Sequence, residues 1–536
     1  MEKFLFARFT TVLVFVLLAT PALAIGSTTV IGAISRVSVN PDVTLLPASF
    51  DPNAPVGGVP FCFSRSLGTI ICYPPSFLKT AYNFPSATGD HGLDGSGSTI
   101  VIVDAFGSPT IQSDLNLFDT TFGLSATMVK ILCGPTWTGS ASDNCPVKTI
   151  GDLTNAPNAV LCGATGWAEE TTLDVTMSHG LAPGAKIVLA VANDCFDASF
   201  NAAELAVVSQ PALRGSIMSQ SFGEPDDLVG CLAVNANNQC IATDPTIKAN
   251  ADTAYAIATH NHWTIIASSG DDGANTDARV LGTKELTPSW PSTNPLNLAA
   301  GGTQGNPYGG QYGAPPGPGG TFGCAANTNC STGLVVINGG PNGCGTAVRP
   351  GVPSSCVPVG YGGEAAWNEF HVFGLGTSTG GGVSSLYSRP SYQADLPQSF
   401  KPLHGSTVQA SGRLTPDVAF NAQIHGGFLA FLGFLGVWAV FGGTSASSPA
   451  WAAIIALLNE ANDGPVGFVN PMIYGLSSSE LQTSFHDITV GENSDTAGLH
   501  GFNGFNAGPG YDLTTGWGSP NVAHLIDTLV GEGSDN

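Results

Sequence analysis

Gly443-Thr444-Ser445-Ala446-Ser447-Ser448-Pro449 is the stretch on which the reading of this chain turns. It follows the apolar run Val437 to Phe441 and precedes a helix expected over Pro449 to Glu460. That order puts Ser445 at a strand-to-helix corner. The glycines allow a tight turn, and Pro449 suits the first turn of a helix, where its missing N–H costs nothing. A serine there feels the positive end of the helix dipole, which favours an alkoxide or oxyanion. Two readings stay open on these residues alone: Ser445 as a helix cap and Ser445 as a nucleophile.

Upstream lies Trp167-Ala-Glu-Glu-Thr-Thr-Leu-Asp-Val-Thr-Met-Ser-His179. Leu173, Met177 and Leu181 recur at the spacing of one buried helical face. On such a helix Glu170 and Asp174 project almost together, whereas Glu169 points away. Like charges at i, i+4 are mildly destabilising, so an ordinary helix gains nothing from the pair. Two close carboxyl groups resist ionising together, so one keeps a proton that the pair can relay. A solvated acidic face is the plainer alternative. A third segment, Trp263-Thr-Ile-Ile-Ala-Ser-Ser-Gly-Asp271-Asp272-Gly273, reads as a buried strand ending in a turn. Catalytic groups gather at carboxyl ends of strands in α/β sheets. Asp271 could simply stabilise that turn. Kept protonated, it could instead donate to a developing oxyanion.

Together these segments resemble the sedolisins, serine-carboxyl peptidases that share the subtilisin fold. The resemblance includes Glu170-x-x-x-Asp174 followed by an Ala-Pro-Gly-Ala turn, the Ser-Gly-Asp271 segment and Gly-Thr-Ser445-Ala-x-x-Pro. Ile100 to Pro109, Gly381 to Ser384 and Pro416-Asp417-Val418 agree in order, so the likeness runs from about Tyr73 to about Leu525. It implies an α/β, subtilisin-like fold: a mainly parallel central sheet, helices on both faces, and long Gly- and Cys-rich loop insertions. It also implies Ser445 as nucleophile, Glu170 as base, Asp174 orienting Glu170 and sharing its proton, and Asp271 as oxyanion donor beside the Ser445 N–H. A carboxylate base suits acidic solution, where an imidazole would be protonated. The expected activity is endopeptidase cleavage of proteins or peptides. Tripeptidyl-peptidase action within the same family and a non-catalytic binding role are the alternatives.

The C-terminal segments Phe485-His-Asp487-Ile488-Thr489 and Ala507-Gly508-Pro509-Gly510-Tyr511-Asp512 could be plain turns. The resemblance implies one structural Ca²⁺ there, held by Asp487, Asp512 and the carbonyls of Ile488, Gly508 and Gly510. Hard oxygen ligands are what that ion prefers. A subtilisin-type triad would need a histidine partner for Asp104, and His179-Gly180 lacks the expected neighbours.

Residues 1–24 have a basic start, a short apolar core and an Ala-x-Ala end, the layout of a secretion signal cut after Ala24. Secretion, with no membrane attachment after cleavage, is therefore expected. Ile25 to Cys72 is a short segment, smaller than the prodomain usual in sedolisins. Residues 73–530 form the expected peptidase unit, with an insertion over 304–360 and a tail over 531–536. The formal charge of −23, from 39 acidic and 16 basic residues, argues against a nucleic-acid partner. A monomer is expected. The 12 cysteines suggest an oxidising compartment. Neighbouring pairs are Cys62/Cys72, Cys133/Cys145, Cys162/Cys195, Cys231/Cys240, Cys324/Cys330 and Cys344/Cys356.

Overall fold

The computed structural model describes residues 37–38, 42–52, 61–64, 68–87, 92–134, 145–235, 240–276, 285–305, 361, 363–369, 377–424, 426–495 and 501–533. The signal-like segment, nearly all of the 304–360 insertion and the 531–536 tail beyond Gly533 lie outside these residues.

Near-continuous apolar runs build an eight-stranded central sheet. In chain order its strands are β1 (Thr99–Ala105), β2 (Lys130–Cys133), β3 (Lys186–Ala192), β4 (Ile217–Gln220), β5 (Thr264–Ser268), β6 (Asn297–Gln304), β7 (Ala365–Ala366) and β8 (Val418–Asn421). Spatially the order is β7-β6-β5-β4-β1-β3-β2, with β8 also paired to β6. Every pairing is parallel except that of β6 with the short β7. In β1 only Thr99 escapes full burial, as two-sided coverage of a parallel sheet requires.

Four helices cover this sheet: α1 (Ala164–Leu181), α2 (Asp197–Val208), α3 (Pro245–His260) and α4 (Thr444–Ala461). Helices α2 and α3 pack together as one layer, and α1 packs along α4 as another. The expected single buried face of α1 is not what the structure shows. From Glu170 to Leu181 every residue is buried, because α4, the sheet and a second sheet enclose it. A helix so placed carries polar side chains inward without any amphipathic signal.

That second sheet is five-stranded, in the order Val43–Leu45, Val437–Phe441, Gly427–Leu432, Gly68–Tyr73 and Phe61–Ser64. Strand Val437–Phe441, which feeds the Ser445 corner, belongs here and not to the parallel sheet. Segments ahead of Tyr73 are thereby woven into the fold.

Of the cysteine pairs, Cys133–Cys145, Cys162–Cys195 and Cys231–Cys240 are bridged. Cys72 is disulfide-bonded. The side chains of Cys62, Cys324, Cys330, Cys344 and Cys356 lie outside the described residues. Among the described residues no helix is long and apolar enough to cross a membrane.

Candidate active site

Three strands of the central sheet deliver polar groups at their carboxyl ends. Asp104 lies near the end of β1, Ser221 follows β4, and Asp271 follows β5. This is where a parallel sheet opens a crevice. Helices α1 and α4 lay Glu170, Asp174 and Ser445 against the same place.

Ser445 sits inside the first turn of α4, which starts earlier than the sequence predicts. Gly443 is the N-cap, at φ 86° and with no side-chain capping bond. Ser445 is therefore not the cap. A positive φ of this size is glycine territory, and a Cβ on Gly443 would come 2.8 Å from Asp271 Oδ2. Pro449 lies within the helix and not at its first position. It cannot donate the α-helical hydrogen bond that the Ser445 carbonyl would otherwise accept. The Ser221 hydroxyl fills the gap, 3.2 Å from the Ser445 carbonyl oxygen. The same hydroxyl is 2.9 Å from Asp174 Oδ1.

Glu170 and Asp174 are completely buried. Burial pushes the Glu170 pKa well above the ordinary carboxylate value; the Ser445 hydroxyl beside it tempers the rise, and Asp104, Asp271 and Glu169 add to it. Burial likewise raises Asp174 strongly; Asp104 and Glu170 add to the rise, and the Ser221 hydroxyl tempers it. Asp104 is itself fully buried and is pushed up to about 7 by desolvation, with the Thr171 hydroxyl tempering the rise. Asp271 Oδ1 accepts from both the N–H and the hydroxyl of Thr444, each at 2.7 Å. The four carboxyl groups around one serine cannot all ionise at once.

His179 stands apart from this cluster. Its Nε2 lies 3.0 Å from Asp119 Oδ1 and 3.1 Å from the Ser125 carbonyl oxygen. Asp104 faces carboxyl groups instead of an imidazole, so the triad alternative has no support in this geometry.

Kumamolisin from Bacillus sp. (strain MN-32) is 30% identical over 460 residues, covering 85% of this chain and 64% of that protein. The chain belongs to the sedolisin family of serine-carboxyl peptidases. It spans just under two thirds of kumamolisin's length. Sedolisin from Pseudomonas sp. (strain 101) is 34% identical over 166 residues, 31% of this chain and 25% of that protein. Human tripeptidyl-peptidase 1 is 33% identical over 172 residues, 28% and 27% of the two chains. The solved structure of Pseudomonas sedolisin, a serine-carboxyl proteinase complexed with two molecules of pseudo-iodotyrostatin, matches with a TM-score of 0.60. That match covers 87% of this chain and all of the other at 23% identity, which establishes a shared fold. No protein-family model matches the sequence.

In this sedolisin the predicted calcium segments do come together. Gly510 N–H donates to Asp487 Oδ2 at 2.9 Å, and Gly508 N–H donates to Asp512 Oδ2 at 2.9 Å. Asp512 is buried and also receives the N–H groups of Thr514 and Thr515. Among the described residues no cluster of three or more His, Cys, Asp or Glu side chains could hold a metal. The candidate set of two carboxylates with the Ile488, Gly508 and Gly510 carbonyls is all oxygen, and that chemistry fits a hard cation.

Sequence reasoning missed Ser221, Thr444 and the place of Asp104 beside the carboxyl pair. A lone serine after a strand carries no spacing signal. The sequence offers Asp104 only as the acid of a subtilisin-type triad, not as a neighbour of the carboxyl pair. One further contact was not foreseen: Ser38 pairs antiparallel with Gly223, through N–H to O distances of 2.9 and 3.1 Å. Gly223 lies two residues beyond Ser221.

Proposed function

We propose that this sedolisin is a secreted serine-carboxyl endopeptidase that hydrolyses peptide bonds of proteins in acidic solution. One observation carries the reading: a fully buried pair of acids, Glu170 and Asp174, lies beside the Ser445 hydroxyl where a neutral-pH serine protease would present histidine.

In the proposed reaction Ser445 Oγ bonds to the scissile carbonyl carbon while its proton passes to Glu170. The carbonyl electron pair moves onto oxygen, where protonated Asp271 and the Ser445 N–H stabilise it. The N–H and the hydroxyl of Thr444 both donate to Asp271 Oδ1 and hold that carboxyl in place. Collapse breaks the C–N bond, and Glu170 hands its proton to the departing amine. Water then attacks the acyl-enzyme and gives a proton to Glu170, which returns it to Ser445 Oγ as the ester C–O bond breaks and the new carboxylic acid leaves. Asp174 holds the other proton of the pair, so Glu170 alone need ionise in acid. The Ser38–Gly223 pairing supports a peptide substrate. An antiparallel bridge at this edge is the backbone exchange by which a peptide strand would be held.

Secretion is supported by the signal-like residues 1–24 and by the disulfides. A structural Ca²⁺, held by Asp487, Asp512 and the carbonyls of Ile488, Gly508 and Gly510, would add rigidity to that corner and take no part in the chemistry.

The test is a fluorophosphonate label combined with a pH–rate profile. Wild type is expected to be labelled and Ser445→Ala not, with kcat/KM highest in acid and Glu170→Gln slower by about 10³-fold. A rate maximum near pH 8 that survives Glu170→Gln would sink the proposal.

A further inference from the structure

Strands β4 and β5 lie side by side, and their carboxyl ends carry Ser221 and Asp271 into the crevice. A buried acid outside the reacting cluster connects the two ends. Asp226 opens the turn Asp226–Leu228, a short way past Ser221 and Gly223, and is fully buried. Its N–H donates to the Pro288 carbonyl at 3.0 Å. Its side chain gathers one run of a different strand, Gly382–Ser388. The Ser384 hydroxyl donates to Oδ1 at 3.0 Å. Oδ2 accepts the N–H of Ser385 at 2.7 Å, the N–H of Leu386 at 3.0 Å and the Ser385 hydroxyl at 3.1 Å. These N–H groups need an outside acceptor because the strand leaves its ladder here. Val383 faces Leu414 and Ser388 faces Gly412, five steps on one strand against two on the other, so three residues bulge out.

The chain just before this bulge lies against the backbone of the oxyanion acid. Ser378 N–H donates to the Asp271 carbonyl at 2.9 Å, and Gly380 N–H donates to the Gly270 carbonyl at 2.7 Å. The Ser269 hydroxyl donates to the Gly380 carbonyl at 2.8 Å. A Cβ on Gly380 would stand 1.9 Å from the Ser269 carbonyl oxygen, so only glycine lets the two backbones come this close. We propose that Asp226 is a positioning residue for Asp271: by pinning the bulge at Ser384–Leu386 it holds the Ser378–Gly380 run against the end of β5 and fixes where Asp271 stands relative to Ser445. The inference rests on the proposed peptidase reading and deepens it. Thr444 fixes the Asp271 side chain, and the pinned run fixes its backbone. Asp226 itself touches no reacting atom. Without its oxygens the three extra residues are free to re-pair along Gly412–Thr415, which moves the run along β5. What Asp226 supplies is acceptors, not charge. In an asparagine the amide oxygen can take both N–H groups while the NH2 donates to the Ser384 hydroxyl oxygen.

Backbone amide exchange, read by mass spectrometry on peptides covering residues 377–383 of the full chain, tests the tie directly. In Asp226→Ala these amides are expected to exchange about tenfold faster than in wild type, and in Asp226→Asn at the wild-type rate. Kinetics supply the second measurement. Asp226→Ala should lower kcat about 100-fold with KM little changed, because an oxyanion donor acts only in the transition state, and Asp226→Asn should stay within about threefold. On an Asp271→Ala background the same Asp226→Ala change should cost less than about threefold, since the group it positions is gone. Ser384→Ala removes a single hydroxyl and should show the same pattern at about tenfold in kcat. It serves if Asp226→Ala does not fold. Unchanged exchange in Asp226→Ala or Ser384→Ala would overturn the proposal, and so would costs that add in full in the double variant. A wild type without acid peptidase activity would count against the functional reading, and exchange would still decide whether Asp226 holds the end of β5.

Discussion

Asp104 occupies the last but one position of β1, fully buried, with its pKa pushed up to about 7 from an ordinary 3.8. A raised native-state value means the folded protein binds this proton more tightly than the unfolded chain does. Its contribution to stability is then fully present below about pH 4 and is lost as pH climbs through 7. Asparagine at this position cannot titrate and escapes that loss. Asp104→Asn should match wild type at pH 3 to 4 and exceed it by up to about 4 kcal/mol at pH 8 in chemical denaturation. A variant no more stable than wild type at pH 8 would contradict the assignment of Asp104 as a desolvated, proton-holding acid. Glu170, Asp174, Asp271 and Ser445 stand out as candidates in the sequence because each sits in a local motif. Asp104 was legible only as a triad candidate, since its true neighbours, Thr171 and the α1 acids, are far off in the chain.

Among elements, α1 and α4 carry the site because both are buried along most of their length and pack on each other. Their enclosure raises the carboxyl pKa values, so the element packing itself favours the protonated forms of these acids. The short N-terminal strand segment plays the opposite part. Val37 N–H donates to the Cys195 carbonyl at 3.1 Å, Ser38 exchanges both backbone bonds with Gly223, and Val43–Leu45 pairs with the strand that leads to Ser445. If an extended substrate pairs along this edge, Ser38 competes with it for the Gly223 backbone. Ser38→Pro removes the N–H donated to Gly223, and loosening the occupant should lower KM for a peptide substrate by about threefold with kcat little changed. Steady-state kinetics with an unaltered KM would show that substrate does not compete for this edge. The sequence placed the start of α4 late, because Pro449 looked like a first-turn residue while buried packing carries the helix back to Thr444.

At the scale of the whole molecule, Ile488 and Ala507 pack against Ala366 of β7, and the N–H groups of Gly508 and Gly510 converge on the Asp512 and Asp487 carboxylates. An ion bound there only in the folded state would stabilise it by mass action. Removing Ca²⁺ with excess chelator should lower the melting temperature by on the order of 5 °C or more, and Asp487→Asn should abolish the difference. An identical melting curve after verified metal removal would rule the ion out. Residue order alone settled the family, the α/β class and which acids and serine to watch, because short motifs record the backbone turns and helical spacings that chemistry needs locally. Only the folded chain decided that those acids are dry, that Asp104 and Ser221 join them, and that the strand before the nucleophile belongs to a second sheet. Desolvation and long-range pairing are properties of what surrounds a residue in space, and nothing in the spacing of a linear sequence encodes them.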